Sequence, residues 1–238
     1  EPCDIFEEAR RIIGLRGPLA GRRVVVTAGG TRELIDPVRF IGNRSSGNMG
    51  YAVATAARDR GAEVVLISAP ADLAVPAGVE RVAVQSAGEM RQAVLDRVPA
   101  CDVLIMAAAV ADYQPEQAAE QKIKKGSGGL TLELVRTADI LQDVAAMRER
   151  EGRPALVVGF AAETQDLLAN ARYKLQAKRL DMIVANDVSA ADSGFEVDTN
   201  RVVLLEPAGQ EALPLLRKDE VAERIVDWVQ VRLGAVGP

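Results

Sequence analysis

Two loops rich in small residues, Gly29-Gly30-Thr31 and Asn43-Arg44-Ser45-Ser46-Gly47-Asn48-Met49-Gly50, precede a helical pattern from Tyr51 to Arg60. The first follows Val24-Val25-Val26, a short apolar run of the kind a buried parallel strand needs. Glycines let a backbone approach a ligand closely. A helix N-terminus adds free N–H groups and the positive end of a dipole. Together they suit a phosphate-bearing ligand at the C-terminal edge of a parallel sheet. The spacing is not that of a dinucleotide fingerprint, in which G-x-G-x-x-G sits directly between strand and helix. Here 16 residues separate Gly30 from Gly47. The second strand ends Ile67-Ser68-Ala69-Pro70, without an acidic residue to read a ribose.

The side chains around these loops each have two readings. Asn43 either turns or caps the chain, or supplies a neutral amide to a reacting carbonyl or acyl phosphate. Arg39 is a solvated loop charge or a fork onto a phosphate or carboxylate. The run MAAAVADY, Met106 to Tyr113, is a second strand end. Its alanines leave room either for a flat ring against the backbone or for close helix–sheet packing. Asp112, just past the strand, suits a ribose hydroxyl or Mg²⁺. Lys122, Lys124 and Lys125 precede Gly126-Ser127-Gly128-Gly129. They read as a solvated charge run or as an arm that closes cations over phosphates. Lys174 and Lys178, four apart, share one helix face. Phe160 walls a base pocket or packs in the core.

The chain of 238 residues contains no histidine, which removes Ser-His-Asp and Cys-His triads and His-ligated zinc. Chemistry must rest on Lys, Asp, Asn, Arg and backbone amides, with or without a hard metal ion. A net charge of −5 and a pI near 5.1 argue against a broad nucleic-acid footprint. No apolar run reaches ~18 residues and no signal peptide is evident, so no membrane partner and a cytoplasmic location are expected. Of the two cysteines, Cys101 at the start of an apolar strand reads as a core thiol.

Elements must hold these groups in place. Strands are expected at 22–28, 63–68, 80–85, 102–109, 155–160 and 181–185. Helices are expected near 47–60, 87–97, 139–150 and 165–179, with further ones at 4–14 and 217–233. This alternation predicts an α/β fold, a Rossmann-like doubly wound and mainly parallel sheet with helices on both faces. Residues 113–135 interrupt the rhythm: Tyr113-Gln114-Pro115 ends a run, and Leu130 to Val135 alternates as a strand would. A turn at Asp198-Thr199-Asn200, within Phe195 to Glu206, predicts a β-hairpin extension. Residues 1–20 read as a linker and N-terminal helix, and 21–238 as one nucleotide-binding domain.

Taken together, the segments TAGGTRELIDPVRFIGNRSSGNMG, AAAVADY, KIKK, VGFAAET, ANDVS and FEVDTNRV resemble the phosphopantothenoylcysteine synthetase family. They run in order from residue 27 to 202 and cover nearly the whole chain. The resemblance implies a ligase of coenzyme A biosynthesis. Such a ligase activates 4′-phosphopantothenate with CTP as an acyl-cytidylate, and L-cysteine then displaces CMP. It further implies Mg²⁺, a homodimer or higher assembly, and fusion to an FMN-dependent decarboxylase whose FMN is not bound in this domain. A first residue of Glu fits a chain cut from such a longer protein.

Carried over by residue, Gly29, Ser45, Gly47 and Gly50 would cradle the triphosphate. Asn43 would hold the acyl-nucleotidate with Arg39 nearby. Met106, Ala107 and Ala108 would read the base edge through backbone groups. Asp112 would face the ribose or the cation, and Lys122 would neutralise charge during activation. Phe160, Lys174, Lys178 and Asn186 would complete the nucleotide pocket. Two rivals remain at this level, a Rossmann-type NAD(P)-dependent oxidoreductase and a non-catalytic nucleotide sensor. The first needs an acidic ribose reader and a catalytic Tyr/Lys pair about four residues apart, whereas Tyr173 and Lys174 are adjacent.

Overall fold

A computed structural model describes residues 2–125, 128–163, 166–187 and 198–235. Gly126, Ser127, Thr164, Val188, Ser189 and 195–197, which belong to the motifs above, lie outside the described residues. The first half of the chain holds α1 (Pro2–Gly14), β1 (Arg23–Ala28), β2 (Arg32–Leu34), β3 (Phe40–Gly42), α2 (Asn48–Asp59), β4 (Glu63–Ser68), β5 (Glu80–Ala83), α3 (Ala87–Leu95), β6 (Val103–Met106) and β7 (Tyr113–Pro115). The second half holds β8 (Leu134–Arg136), α4 (Ile140–Glu151), β9 (Leu156–Glu163), α5 (Leu167–Ala177), β10 (Met182–Asp187), β11 (Thr199–Asn200), β12 (Val202–Glu206), β13 (Gly209–Ala212), β14 (Leu216–Arg217) and α6 (Lys218–Ala235).

Eight strands form one sheet in the order β13-β12-β10-β9-β6-β1-β4-β5. The six strands from β5 across to β10 run parallel, and β12 and β13 add an antiparallel edge. The parallel strands are buried on both faces, which is why they read as continuous apolar runs. Alternate residues feed two cores. Val24, Val26, Leu66, Ile105 and Val184 meet α2 and α6 on one face. Val25, Ile67, Leu104, Val157 and Ile183 meet α3, α4 and α5 on the other. Cys101 is buried in the second core, and that burial, with the Asp102 charge beside it, pushes its thiol up to about 12. It is a core thiol, as its position just ahead of the apolar run of β6 indicates.

From β1 the chain winds outward to β4 and β5, and from β6 it winds the other way to β9 and β10. This reversal leaves a crevice between the C-terminal ends of β1 and β6, the usual ligand position in open α/β sheets. Packing there is tight. A Cβ on Gly50 would fall 2.6 Å from the Ala28 Cβ and 2.7 Å from the Thr27 carbonyl oxygen, so the glycine lets α2 lie against β1. At the opposite end of the sheet, Asp102 accepts from the Arg23 N–H at 2.8 Å and from Arg153 at 2.6 Å.

Three expectations change. The strand expected to run to 109 ends at Met106, because the next residues bond to side chains of β1 and its loop. Tyr113–Pro115 does not end a run but pairs as β7 with β8, so the alternating 130–135 segment narrows to Leu134–Arg136. The hairpin does not turn at 198–200. Thr199 and Asn200 pair with β14, and the turn lies at Pro207-Ala208 between β12 and β13. Asp, Thr and Asn carry turn propensity wherever they occur, whereas the distant partner strand decides here.

Candidate active site

A cleft of about 1070 Å³ opens at the switch point. One lip is the loop Asn43–Gly47, which leads into α2. Gly47 is the N-cap, with φ 83°, a left-handed conformation that glycine adopts without strain. Its missing side chain leaves α2 without a side-chain cap at that residue, and no acidic residue occupies the first turn. The Ser45 and Ser46 hydroxyls accept from the Gly47 and Asn48 N–H groups at 3.3 and 3.4 Å. This helix end is electrostatically suited to an anion.

The facing lip is the segment after β6. Thr27 Oγ1 accepts from the Ala108 N–H at 3.1 Å, and Thr31 Oγ1 accepts from the Ala111 N–H at 2.9 Å. The Gly29 carbonyl accepts from the Ala109 N–H at 2.9 Å. Two buried threonines thus fix an irregular stretch together with a single parallel bridge between Gly30 and Ala109. Among the described residues, nothing donates to the Ala107 or Ala108 carbonyl, so the shelf offers acceptors to a ligand. Asn43 spans both lips, its Nδ2 donating to the Val110 carbonyl at 2.9 Å.

The far wall comes from β9, β10, α4 and α5. Asp139 caps α4 by accepting from the Gln142 N–H, and its other oxygen lies 3.2 Å from the Lys178 Nζ. Lys174 lines the same wall one turn away, and Phe160 of β9 lines the cleft as well.

Twelve of the residues singled out from sequence line this one cleft: Asn43, Ser45, Gly47, Gly50, Met106, Ala107, Ala108, Asp112, Phe160, Lys174, Lys178 and Asn186. Gly29, Arg39 and Lys122 are outside the lining. Gly29 lies behind the lip, where a Cβ would sit 2.7 Å from the Ala69 carbonyl oxygen. Arg39 donates to the Ile123 carbonyl at 3.0 Å and pairs with the buried Asp36 at 3.3 Å. Lys122 is exposed on the segment that this contact holds. Residues the sequence reading passed over include Thr137 to Gln142, Asn200 and Lys218. The first had a visible signal, since Thr137-Ala138-Asp139 before an apolar run marks a capped helix start. Asn200 stood in a quoted motif but was read as a turn.

The matching family model is the DNA/pantothenate metabolism flavoprotein C-terminal domain, over residues 19–232. The chain belongs to this family. The bifunctional coenzyme A biosynthesis protein CoaBC of Vibrio cholerae is 49% identical over 217 residues, which is 90% of this chain and 54% of that protein. The Bacillus subtilis CoaBC is 50% identical over 214 residues, 89% of this chain and 52% of that one. The chain therefore spans about half the length of these curated relatives. A crystal structure of a CoaBC C-terminal domain superposes with a TM-score of 0.78 at 41% identity, covering 92% of this chain and 99% of that one. A Cab2 variant in complex with phosphopantothenate-cysteine shares the fold, with a TM-score of 0.71 at 14% identity, covering 98% of this chain and 92% of that one.

Membership of the C-terminal domain family agrees with what the cleft lacks for hydride transfer. The end of β4 carries Ser68, whose hydroxyl is buried against the Tyr51 hydroxyl, in place of an acidic ribose reader. Tyr173 is 73% exposed and is not part of the cleft lining, whereas the adjacent Lys174 is. Among the described residues, no helix is long and apolar enough to cross a membrane.

Proposed function

We propose that this domain joins 4′-phosphopantothenate to L-cysteine at the expense of CTP. The observation that carries the reading is the switch-point cleft itself. It sets an anion-binding helix start against an acceptor-lined shelf, with Asn43 bridging the two. The family match and the CoaBC relatives support it. The triphosphate lies against Gly47, Ser45 and the first turn of α2, and the base lies on the Ala107–Ala108 shelf beside Phe160. Carbonyl acceptors at the shelf favour a base edge with an amino donor. Cytosine offers one, and uracil offers an oxygen that would leave polar groups unpaired, at about 1–3 kcal/mol each.

In the first step a carboxylate oxygen of 4′-phosphopantothenate attacks the α-phosphorus, and the bond to pyrophosphate breaks. In the second the amine of cysteine attacks the acyl carbon, CMP leaves, and the amine gives up a proton. No histidine is needed, because nucleotidyl transfer depends on positioning and charge neutralisation more than on a strong base. Asn43 orients the acyl-nucleotidate, while Lys122, Lys174 and Lys178 neutralise charge. Among the described residues no group of three or more His, Cys, Asp or Glu side chains could cage a metal. A lone carboxylate such as Asp112 fits Mg²⁺ that is held mainly by substrate phosphates and water. When bound, Mg²⁺ would neutralise the phosphates next to Asp112.

A homodimer and a fused FMN-dependent decarboxylase domain belong to the same proposal, as does a single ligase domain over 21–238. The test is pyrophosphate release with each of the four ribonucleotides. Release is expected from CTP alone, only with 4′-phosphopantothenate present, and not in EDTA. Equal use of ATP would overturn the base assignment, and full activity in EDTA would overturn the metal.

A further inference from the structure

The helix α1 is amphipathic, and it is mounted with its polar side inward. Helical spacing puts Ile5, Phe6, Ala9, Ile12 and Ile13 on one face and Glu7, Glu8, Arg10, Arg11 and Gly14 on the other. The polar face meets α2. Arg58 donates to the Glu7 carboxylate at 2.8 Å, and Arg10 lies 2.6 Å from the Asp59 carboxylate. The Arg58 side chain is only 3% exposed, so this pair is not a loose surface contact. Gly14 packs on the end of α2, where a Cβ would fall 2.3 Å from the Asp59 carbonyl oxygen. The apolar face is left open. Ile5, Phe6, Ile12 and Ile13 are 73%, 62%, 55% and 81% exposed, and none of them belongs to either core. A surface helix ordinarily turns its apolar stripe to the core, and the reverse arrangement marks an interaction surface.

The occupant follows from position, charge and area. The family model begins at residue 19, so α1 stands ahead of the shared domain although ion pairs clamp it to that domain. The CoaBC relatives are about twice as long as the stretch they share with this chain, and the related crystal structure is of a C-terminal domain. A domain that precedes the ligase half therefore joins the chain beside this face. The helix carries Asp4, Glu7, Glu8, Arg10 and Arg11 and no lysine, whereas helices that lie on membranes are rich in Lys and Arg. A second copy is poorly served as well. A helix of this length, ~20 Å, offers an apolar stripe on the order of 200–300 Å², against roughly 800 Å² per partner in a stable complex. A domain on the same chain needs less area, because a short tether holds it at an effective concentration of about mM.

We propose that the apolar face of α1 is the docking surface for the flavin-dependent decarboxylase domain that precedes it in the full-length protein; this rests on the fusion reading above. The helix is then an adaptor with two gripping faces. Its charged face holds α2 of the ligase domain, and Ile5, Phe6, Ile12 and Ile13 seat against an apolar patch of the flavin domain. Its contacts with α2 are at Arg58 and Asp59, the C-terminal end of that helix, whereas the cleft opens at the N-terminal end. Docking on α1 therefore leaves the cleft free.

The test is the alkylation rate of cysteines introduced as Ile5→Cys and Ile13→Cys, with Val231→Cys as control, resolved by peptide mass. The rates are compared between the full-length protein and the chain of 238 residues. Val231 is 67% exposed on α6. Positions 5 and 13 are expected to react at least tenfold more slowly in the full-length protein, and position 231 alike within twofold in both. Hydrogen exchange of residues 5–13 in the unsubstituted proteins gives the same comparison without a variant, with slower exchange expected in the full-length protein. Equal rates at 5 and 13 in a full-length protein that binds FMN would overturn the docking and leave the fusion intact. A full-length protein without a flavin domain, by mass and absorbance, would overturn fusion and docking together. Protection in the 238-residue chain that grows with its concentration would assign the face to a second copy. Protection there by phosphatidylglycerol vesicles would assign it to a membrane, and either result would overturn the proposal.

Discussion

Asn43 shows how a single side chain is prepared for one task. Its amide nitrogen already holds the Val110 carbonyl at 2.9 Å, which locks the side chain across the mouth of the cleft. A carboxylate cannot donate that bond, and it would set a negative oxygen against both the Val110 carbonyl and an acyl phosphate. Asn43→Asp should therefore bind CTP within a few-fold of wild type. It should form and consume the acyl-cytidylate about 10²–10³ times more slowly, as expected when one preorganised donor is lost. Quenched-flow analysis of the intermediate reads both steps. Normal formation and normal consumption would reduce Asn43 to a loop residue.

The β2–β3 hairpin acts as a clasp on the lysine-bearing segment. Asp36, at its tip, accepts from the Val38 N–H at 2.8 Å and the Arg39 N–H at 2.9 Å. It also accepts from the Ile123 N–H at 3.2 Å, and Arg39 donates to the Ile123 carbonyl at 3.0 Å. Ile123 lies between Lys122 and Lys124, so both cations are anchored from one buried carboxylate. Burial pushes the Asp36 carboxyl up, but the three N–H donors and Arg39 outweigh it and hold the group below the usual range. A depressed acid stabilises the folded state above its unfolded pKa of ~3.9, and that contribution fades as pH falls through the depressed value. The clasp should thus be closed at neutral pH and open only in strong acid. Asp36→Asn should loosen residues 119–125 to limited proteolysis at pH 7 and lower single-turnover activation about tenfold, with CTP affinity nearly unchanged. Lys122→Gln should lose activation by about 10²–10³ with no change in proteolysis. If both variants activate normally, the segment has no part in the first step.

Across the whole molecule, the end of the sheet away from the cleft carries a polar node centred on Asp102. Asp102 ties β1 to the segment before β9 through the Arg23 N–H and the Arg153 side chain. Burial raises its carboxyl, while those two bonds and the nearby arginine charges lower it further, so the net shift is downward. It too stabilises at neutral pH and loses that contribution as pH falls through the lowered value. Asp102→Asn should lower stability at pH 7 by about 1.5–3 kcal/mol, the scale of a hydrogen bond to a charged group. The deficit should shrink toward zero as pH falls below ~4. Urea unfolding at pH 7 and pH 3.5 measures both values. A deficit independent of pH would mean that the charge plays no part.

The alternation of apolar runs and helical patterns was enough to specify a doubly wound sheet, because a strand buried on both faces must be apolar throughout. The small-residue loops were enough to locate an anion site, because only glycine and short polar residues let backbone N–H groups face a ligand. Pairing across distance was not legible. Asp-Thr-Asn at 198–200 has the chemistry of a turn, yet β14 pairs with Thr199 and Asn200, and Asn200 lines the cleft. Arg39 has the chemistry of a phosphate fork, yet the Ile123 carbonyl and Asp36 take up its guanidinium. Lys218 opens a helix 96 residues beyond Lys122, and nothing local marks it as buried. Local composition fixes which conformations a segment tolerates. Which of them is used, and which charges end up desolvated beside one another, depends on partners far along the chain that only the closed tertiary structure brings together.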